Sequence, residues 1–136
     1  MSKVLQLSFL PRSVDFALLL LRAWVGLNLL IGHGWAKLTN FSATAAQLPD
    51  PLGIGHRPTA ALAILAEVVA AALLVLGLGT RLAALIIAIE LGVAFTLVHH
   101  LTMAGYGEVA YLDLGAALTL LFAGGGRFGF DGGKSS

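Results

Sequence analysis

The feature that most restricts this chain is the run from Phe16 to Leu38, an almost unbroken apolar stretch with an arginine, Arg22, inside it. Its length is enough to cross a bilayer as a helix. Wound at 3.6 residues per turn, it places Arg22, Gly26, Leu29, His33 and Lys37 on one stripe, while the opposite face is Leu, Ala, Val and Ile. An arginine within such a span needs a protein partner or a water-filled site. The rest of the chain has to provide that partner.

Composition supports the same class. The 136 residues are 58% hydrophobic and 11% charged, with a mean hydropathy of +0.92. A soluble domain carries about a quarter charged residues, so this chain cannot cover a water-facing surface and reads as an integral membrane protein. Its length suits one domain, residues 1–136. A formal net charge of +1 leaves no electrostatic basis for binding nucleic acid. With no cysteine, thiolate nucleophiles, disulfide exchange and Cys-bound metal clusters are excluded. Ala43-Thr44-Ala45 mimics a signal-peptide cleavage site, but the apolar run before it is too long for a signal peptide and is interrupted by Arg22.

The expected fold is all-α: a transmembrane four-helix bundle with spans at 16–38, 59–78, 82–101 and 108–123. Pro11 should break the polar-apolar lead before the first span. The long connection 39–58 holds a short interfacial helix near Ser42 to Leu48 and then a rigid turn at Pro49, Pro51 and Gly53. Long loops are often functional. Pro58 suits the start of the second helix. In Gly77-Leu78-Gly79-Thr80-Arg81, Gly79 suits a left-handed C-cap and Thr80 an N-cap. Glu108 favours the dipole at the start of the fourth helix. Four spans put both termini on one side, with Lys3, Arg12, Arg81, Arg127 and Lys134; the other side has Arg57 and Lys37. The basic side should be cytoplasmic, in the inner (plasma) membrane.

Four ionisable groups fall inside the spans: Arg22, Glu67, Glu90 and Asp113. Each would cost about 2–4 kcal/mol facing lipid, so they should share an interior. One arginine cannot neutralise three acids. Either His33 or Lys37 joins the network, or an acid is held protonated by burial. By residue count Arg22 and Glu90 lie about 9 and 12 Å from the cytoplasmic helix ends. Glu67 lies about 12 Å, and Asp113 and His33 about 8 Å, from the outer ends. The expected pairs are therefore Arg22 with Glu90 or Glu67, and His33 with Asp113, with Lys37 at the outer mouth. Such a network either fixes helix register or lines a polar pocket beneath the 39–58 loop.

His99 and His100, adjacent at the end of a helix, would point about 100° apart and suit the interface better than one metal ion; no metal site is expected. Trp24 and Trp35 read as lipid or interface anchors. Ala84, Ala88 and Gly92 form a small-residue stripe facing away from Glu90, suited to close helix packing.

These residues together resemble the DoxX family of small four-span membrane proteins. The similarity lies in Leu21-Arg22 with Gly26, Gly34-Trp35-Ala36-Lys37-Leu38, the Phe41…Leu48-Pro49-Asp50-Pro51 loop, Ala66-Glu67, Leu76 to Arg81, and Gly124 to Asp131, across roughly residues 14 to 131. The family closes with Gly-Pro-Gly-Arg; here Gly125 stands at the proline. Arg22, Lys37, Glu67 and Arg81 match its recurrent polar positions. The resemblance implies the bundle fold and association with quinol oxidases, thiosulfate:quinone oxidoreductases or oxidative-stress proteins, but carries over no catalytic residue.

The functional expectation is an accessory subunit of a membrane redox or stress-response system, without stand-alone catalysis. Arg22, His33, Lys37, Glu67, Glu90 and Asp113 would line its interior. A quinone or another lipophilic ligand would bind there, with the lipid bilayer, a redox or stress partner protein and further copies of the chain as associates. A quinone-linked oxidoreductase subunit belongs to the same class. Two other classes fit: a ligand-free scaffold, and a transporter or permease subunit using the acids as proton relays.

Overall fold

The computed structural model describes residues 3–131, and among these the regular structure is helical with no strand. After a single turn, Lys3–Gln6 (α1), come Val14–Thr39 (α2), Phe41–Gln47 (α3), His56–Leu76 (α4), Thr80–Val98 (α5) and Tyr106–Ala123 (α6). Four of these, α2, α4, α5 and α6, are long and apolar enough to cross a membrane.

The helix ends differ from expectation for local reasons. α2 starts at Val14 because the Ser13 hydroxyl accepts from the Phe16 N–H at 3.1 Å. α4 starts at His56, so Pro58 sits within its first turn, where a missing N–H costs nothing. It ends at Leu76 because Gly77, not Gly79, takes the left-handed cap (φ 74°), with Leu78 N donating to Leu73 O at 3.0 Å. Thr80 is the first helical residue of α5 and caps nothing with its side chain. α5 stops at Val98, and the chain leaves the helix through positive φ at His100 and Leu101.

Three spans contain a π-helical stretch that the sequence did not announce: Leu30–Gly34 in α2, Leu65–Ala70 in α4 and Ala94–Val98 in α5. Such wide turns often occur where a helix serves a site.

The spans form a ring in which α2 packs against α4 and α6, and α5 against α4 and α6. Val25, Leu29, Leu74, Ile87, Leu91 and Leu120 fill the centre with many alanines, which let the backbones approach closely. Ala84 and Ala88 of the expected stripe are buried, whereas Gly92 has open space beside it. The outside is apolar: Trp24 and Phe122 are each 79% exposed, with Ile89 and Leu112 also turned outward. Only a bilayer suits that inversion of inside and outside.

One end of the bundle is tied. Arg22, 1% exposed, donates Nε to Gly125 O (3.1 Å) and Nη1 to Leu74 O (3.1 Å) and Val75 O (2.7 Å). This corrects the expected pairing with Glu67 or Glu90. The last carbonyls of a helix lack intrahelical donors and carry the negative end of its dipole, so a cation there is matched without an acid. Arg81 does the same for α6 through Nε to Leu121 O at 2.8 Å. The closing segment is stitched across: Phe130 N donates to Leu76 O and Asp131 N to Gly77 O, both at 3.1 Å, and the Asp131 carboxylate accepts from Gly79 N. Arg127 N donates to Asp15 Oδ1 at 3.1 Å. Lys134, part of the expected basic side, lies outside the described residues.

Candidate functional site

The other end holds a cavity of about 880 Å³. Its walls are α2, α4, α5 and α6, and α3 with the 48–54 segment lines its loop end. Space exists there because α5 meets α4 along Leu65–Leu76, while the first half of α4, His56–Ile64, packs on α3 and on Trp35–Thr39 of α2.

Gly34 sets the geometry of the inner wall. It lies against the main chain of Glu67, bringing the π-helical stretches of α2 and α4 together. Lys37 is three residues further along the same face, and its ammonium forms an ion pair with Glu67 Oε2. Lys37 is thus not a free group at the mouth but is folded down onto an acid that is 5% exposed. Glu90, from α5, has its carboxyl within side-chain hydrogen-bonding reach of Glu67 and in the field of Lys37 and Asp113. Its Oε2 is shut off from solvent and has no hydrogen-bond partner among the described residues.

Asp113 is buried and accepts from Asn28 Nδ2 at 2.8 Å. The expected His33–Asp113 pair is replaced by this amide, and His33 acts on Asp113 through space alone. The His33 ring instead meets Tyr106 edge-on, centroids 6.5 Å apart. His33, Lys37, Glu67, Glu90 and Asp113 all line the one cavity, and Arg22 lies apart at the tied end.

Three contributors escaped the sequence reading. Asn28 was a visible polar residue in an apolar run. His99 lines the cavity because α5 ends before it, so the placement of His99 and His100 on a helix was wrong; His100 is exposed. Tyr106 lines it from the first turn of α6. No group of three His, Asp or Glu side chains among the described residues is disposed to hold a metal ion.

The loop-end segment is held by Asp50. Its Oδ2 accepts from Gly55 N (2.8 Å), and its Oδ1 from Ile54 N (3.1 Å) and from Thr59 Oγ1 (2.9 Å). The Gly55 N–H, with the Thr59 and Ile54 donors, holds this carboxyl below its ordinary range against the opposing effect of desolvation. Arg57, over the Phe41 ring at 5.0 Å, fastens α3 to the start of α4.

The family model described as DoxX matches residues 17–100. The chain belongs to the DoxX family. With four membrane-crossing helices, this DoxX-family chain is a multi-pass membrane protein. The match takes in Arg22, His33, Lys37, Glu67 and Glu90 and ends before Asp113 and the closing segment. Neither a curated protein nor a solved structure matches the chain.

Chemically, the cavity combines carboxyls, two imidazoles, an ammonium and a phenol with apolar walls from Leu29, Leu62, Ile86 and Leu91. That arrangement suits a small polar head group on an apolar body.

Proposed function

We propose that this DoxX-family protein binds a quinone-like amphiphile in the cavity and serves as an accessory subunit of a membrane redox or oxidative-stress system. It would reside in the inner membrane with both termini cytoplasmic. The observation carrying this reading is Glu90. Lys37 pairs with Glu67 and Asn28 with Asp113, whereas Glu90 Oε2 lies buried without a hydrogen bond, and the side chain within hydrogen-bonding reach of Glu90 is another carboxyl, that of Glu67. Leaving such an oxygen unmatched costs about 1–3 kcal/mol; Thr80 Oγ1 is unmatched as well, but of the two residues Glu90 is the one that lines the cavity. A ligand head group would match it. His33 and His99 line the same cavity and offer ring nitrogens that can donate to or accept from such a head group.

The test is native mass spectrometry of the purified protein for retained quinones and lipids, with thermal shifts on adding ubiquinone or menaquinone. A ligand bound to the folded state raises the midpoint by mass action. Glu90→Gln and His33→Ala should shrink that rise, and the lipid-facing control Thr119→Ala should keep it. If no quinone or lipid shifts the wild type, the scaffold reading replaces this one.

A further inference from the structure

The cavity has an apolar lip in the membrane-facing surface of the bundle. Leu62 and Leu65 of α4 and Ile89 of α5 line the cavity, yet are 50%, 43% and 60% exposed. They stand on two neighbouring helices at the level where α4 and α5 part. Below it, α5 is packed on Leu65–Leu76 of α4; above it, Ala94–Val98 of α5 turns to α6 while His56–Ile64 of α4 turns to α3. The same side chains therefore face the acids within and the lipid outside. At the loop end, by contrast, Ala43, Thr44, Gln47 and Leu48 stand over the cavity.

We infer that the gap between α4 and α5 is a lateral portal through which an amphiphile passes from the bilayer into the cavity. Its polar head reaches Glu90 and the Lys37–Glu67 pair, and its apolar tail stays between Leu62, Leu65 and Ile89, continuous with the lipid. This deepens the proposed function and rests on it: it assigns the ligand class as tailed lipophiles delivered by the membrane, not water-soluble head groups arriving from the loop end. Burial of each tail methylene against the lip or lipid, not in water, favours that route.

The experiment uses the full chain in phosphatidylcholine vesicles loaded with either long-tailed ubiquinone or its tailless ring. Quinone retained by the rapidly extracted protein is quantified over time by mass spectrometry. Leu62→Trp/Ile89→Trp should slow uptake of the tailed quinone about tenfold and change the tailless ring by less than about twofold. Leu62→Ala/Ile89→Ala, which widens the gap, should speed the tailed quinone; this pair decides the matter if the tryptophan variant does not fold. Equal slowing of both quinones, or no change in tailed uptake from either variant, overturns the portal and leaves the cavity reading standing. Retention of neither quinone by the wild type overturns both.

Discussion

Gly34 sits directly on the main chain of Glu67: a Cβ added to Gly34 would stand 2.7 Å from the Glu67 carbonyl carbon and 2.8 Å from Val68 Cγ2. The Val68 methyl could turn aside, but the Glu67 carbonyl carbon is backbone and cannot yield by rotating a side chain. The contact places Lys37 over Glu67 and holds the inner wall of the cavity. Gly34→Ala should therefore lower stability by about 1–3 kcal/mol and also weaken ligand binding. Gly32→Ala, whose added Cβ meets only Asn28 Oδ1 at 3.4 Å, should be much milder. Thermal or denaturant unfolding in detergent of both variants checks the contrast.

Lys37 and Glu67 should be energetically coupled, because Lys37 is mostly covered and Glu67 almost wholly so. A double-mutant cycle with Lys37→Met and Glu67→Gln should give an interaction on the order of 1–3 kcal/mol. A coupling near zero would mean that the pair is loose in the folded protein.

Arg22 should show the opposite pattern. Arg22→Met removes three hydrogen bonds to carbonyls, of which Leu74 O keeps the Gly77 N–H, and should cost on the order of 3 kcal/mol. Its cycle with Glu67→Gln or Glu90→Gln should be additive, since the guanidinium serves Gly125, Leu74 and Val75. Arg22→Lys should recover only part of the loss, because one ammonium cannot reproduce the planar fork. Strong coupling to either acid would contradict the helix-end role.

Asp50 gives a pH dependence with a definite sign. Its carboxyl is more acidic in the fold than its ordinary value of 3.8. A depressed carboxyl contributes stability above its unfolded value and loses it as pH falls through the folded one. Wild type should therefore exceed Asp50→Asn in thermal midpoint at about pH 6, with the gap closing as pH falls below about 4. A gap that is unchanged on acidification would show that the Gly55 and Ile54 amides do not depend on the charge.

The absence of cysteine makes sidedness simple to measure. Leu52→Cys and Phe128→Cys are exposed positions at opposite ends of the bundle. An impermeant maleimide applied to intact cells should label Leu52→Cys and spare Phe128→Cys. Labelling of both or the reverse result would overturn the cytoplasmic placement of the termini.

The spans were legible in the sequence because hydropathy over some twenty residues is a strong signal, and the resemblance to the DoxX family was carried by motifs spread along the chain. That Glu67, Glu90 and Asp113 would face one interior was legible because charges in spans must face inward, but Arg22, expected with them, lies at the tied end, and Lys37, expected at the mouth, reaches Glu67. The pairing was not legible. Counting residues from helix ends assumes that the ends are level, but Gly34 brings Glu67 beside the last turns of α2 although Glu67 lies eleven residues into α4. The partner of Arg22 was hidden for another reason: terminal carbonyls of a helix have no residue type to mark them. The π-helical stretches and the early end of α5 left no pattern either, since a single wide turn disturbs hydrophobic periodicity by less than one residue.

The partners of Arg22 also set an order of biogenesis. A chain enters the membrane from its N-terminus, and the carbonyl of Gly125 is synthesised 103 residues after the arginine that binds it. Leu74 and Val75 arrive about halfway through that interval. The guanidinium of the first span therefore gains these partners only after the second span is made, and the last of them only after the fourth. Stalled chains, each extended by a linker long enough to span the ribosome, should leave the first span extractable by alkali when Gly55 is the last residue to have emerged, should retain it when Arg81 has emerged, and should become protease-resistant only once Asp131 has emerged.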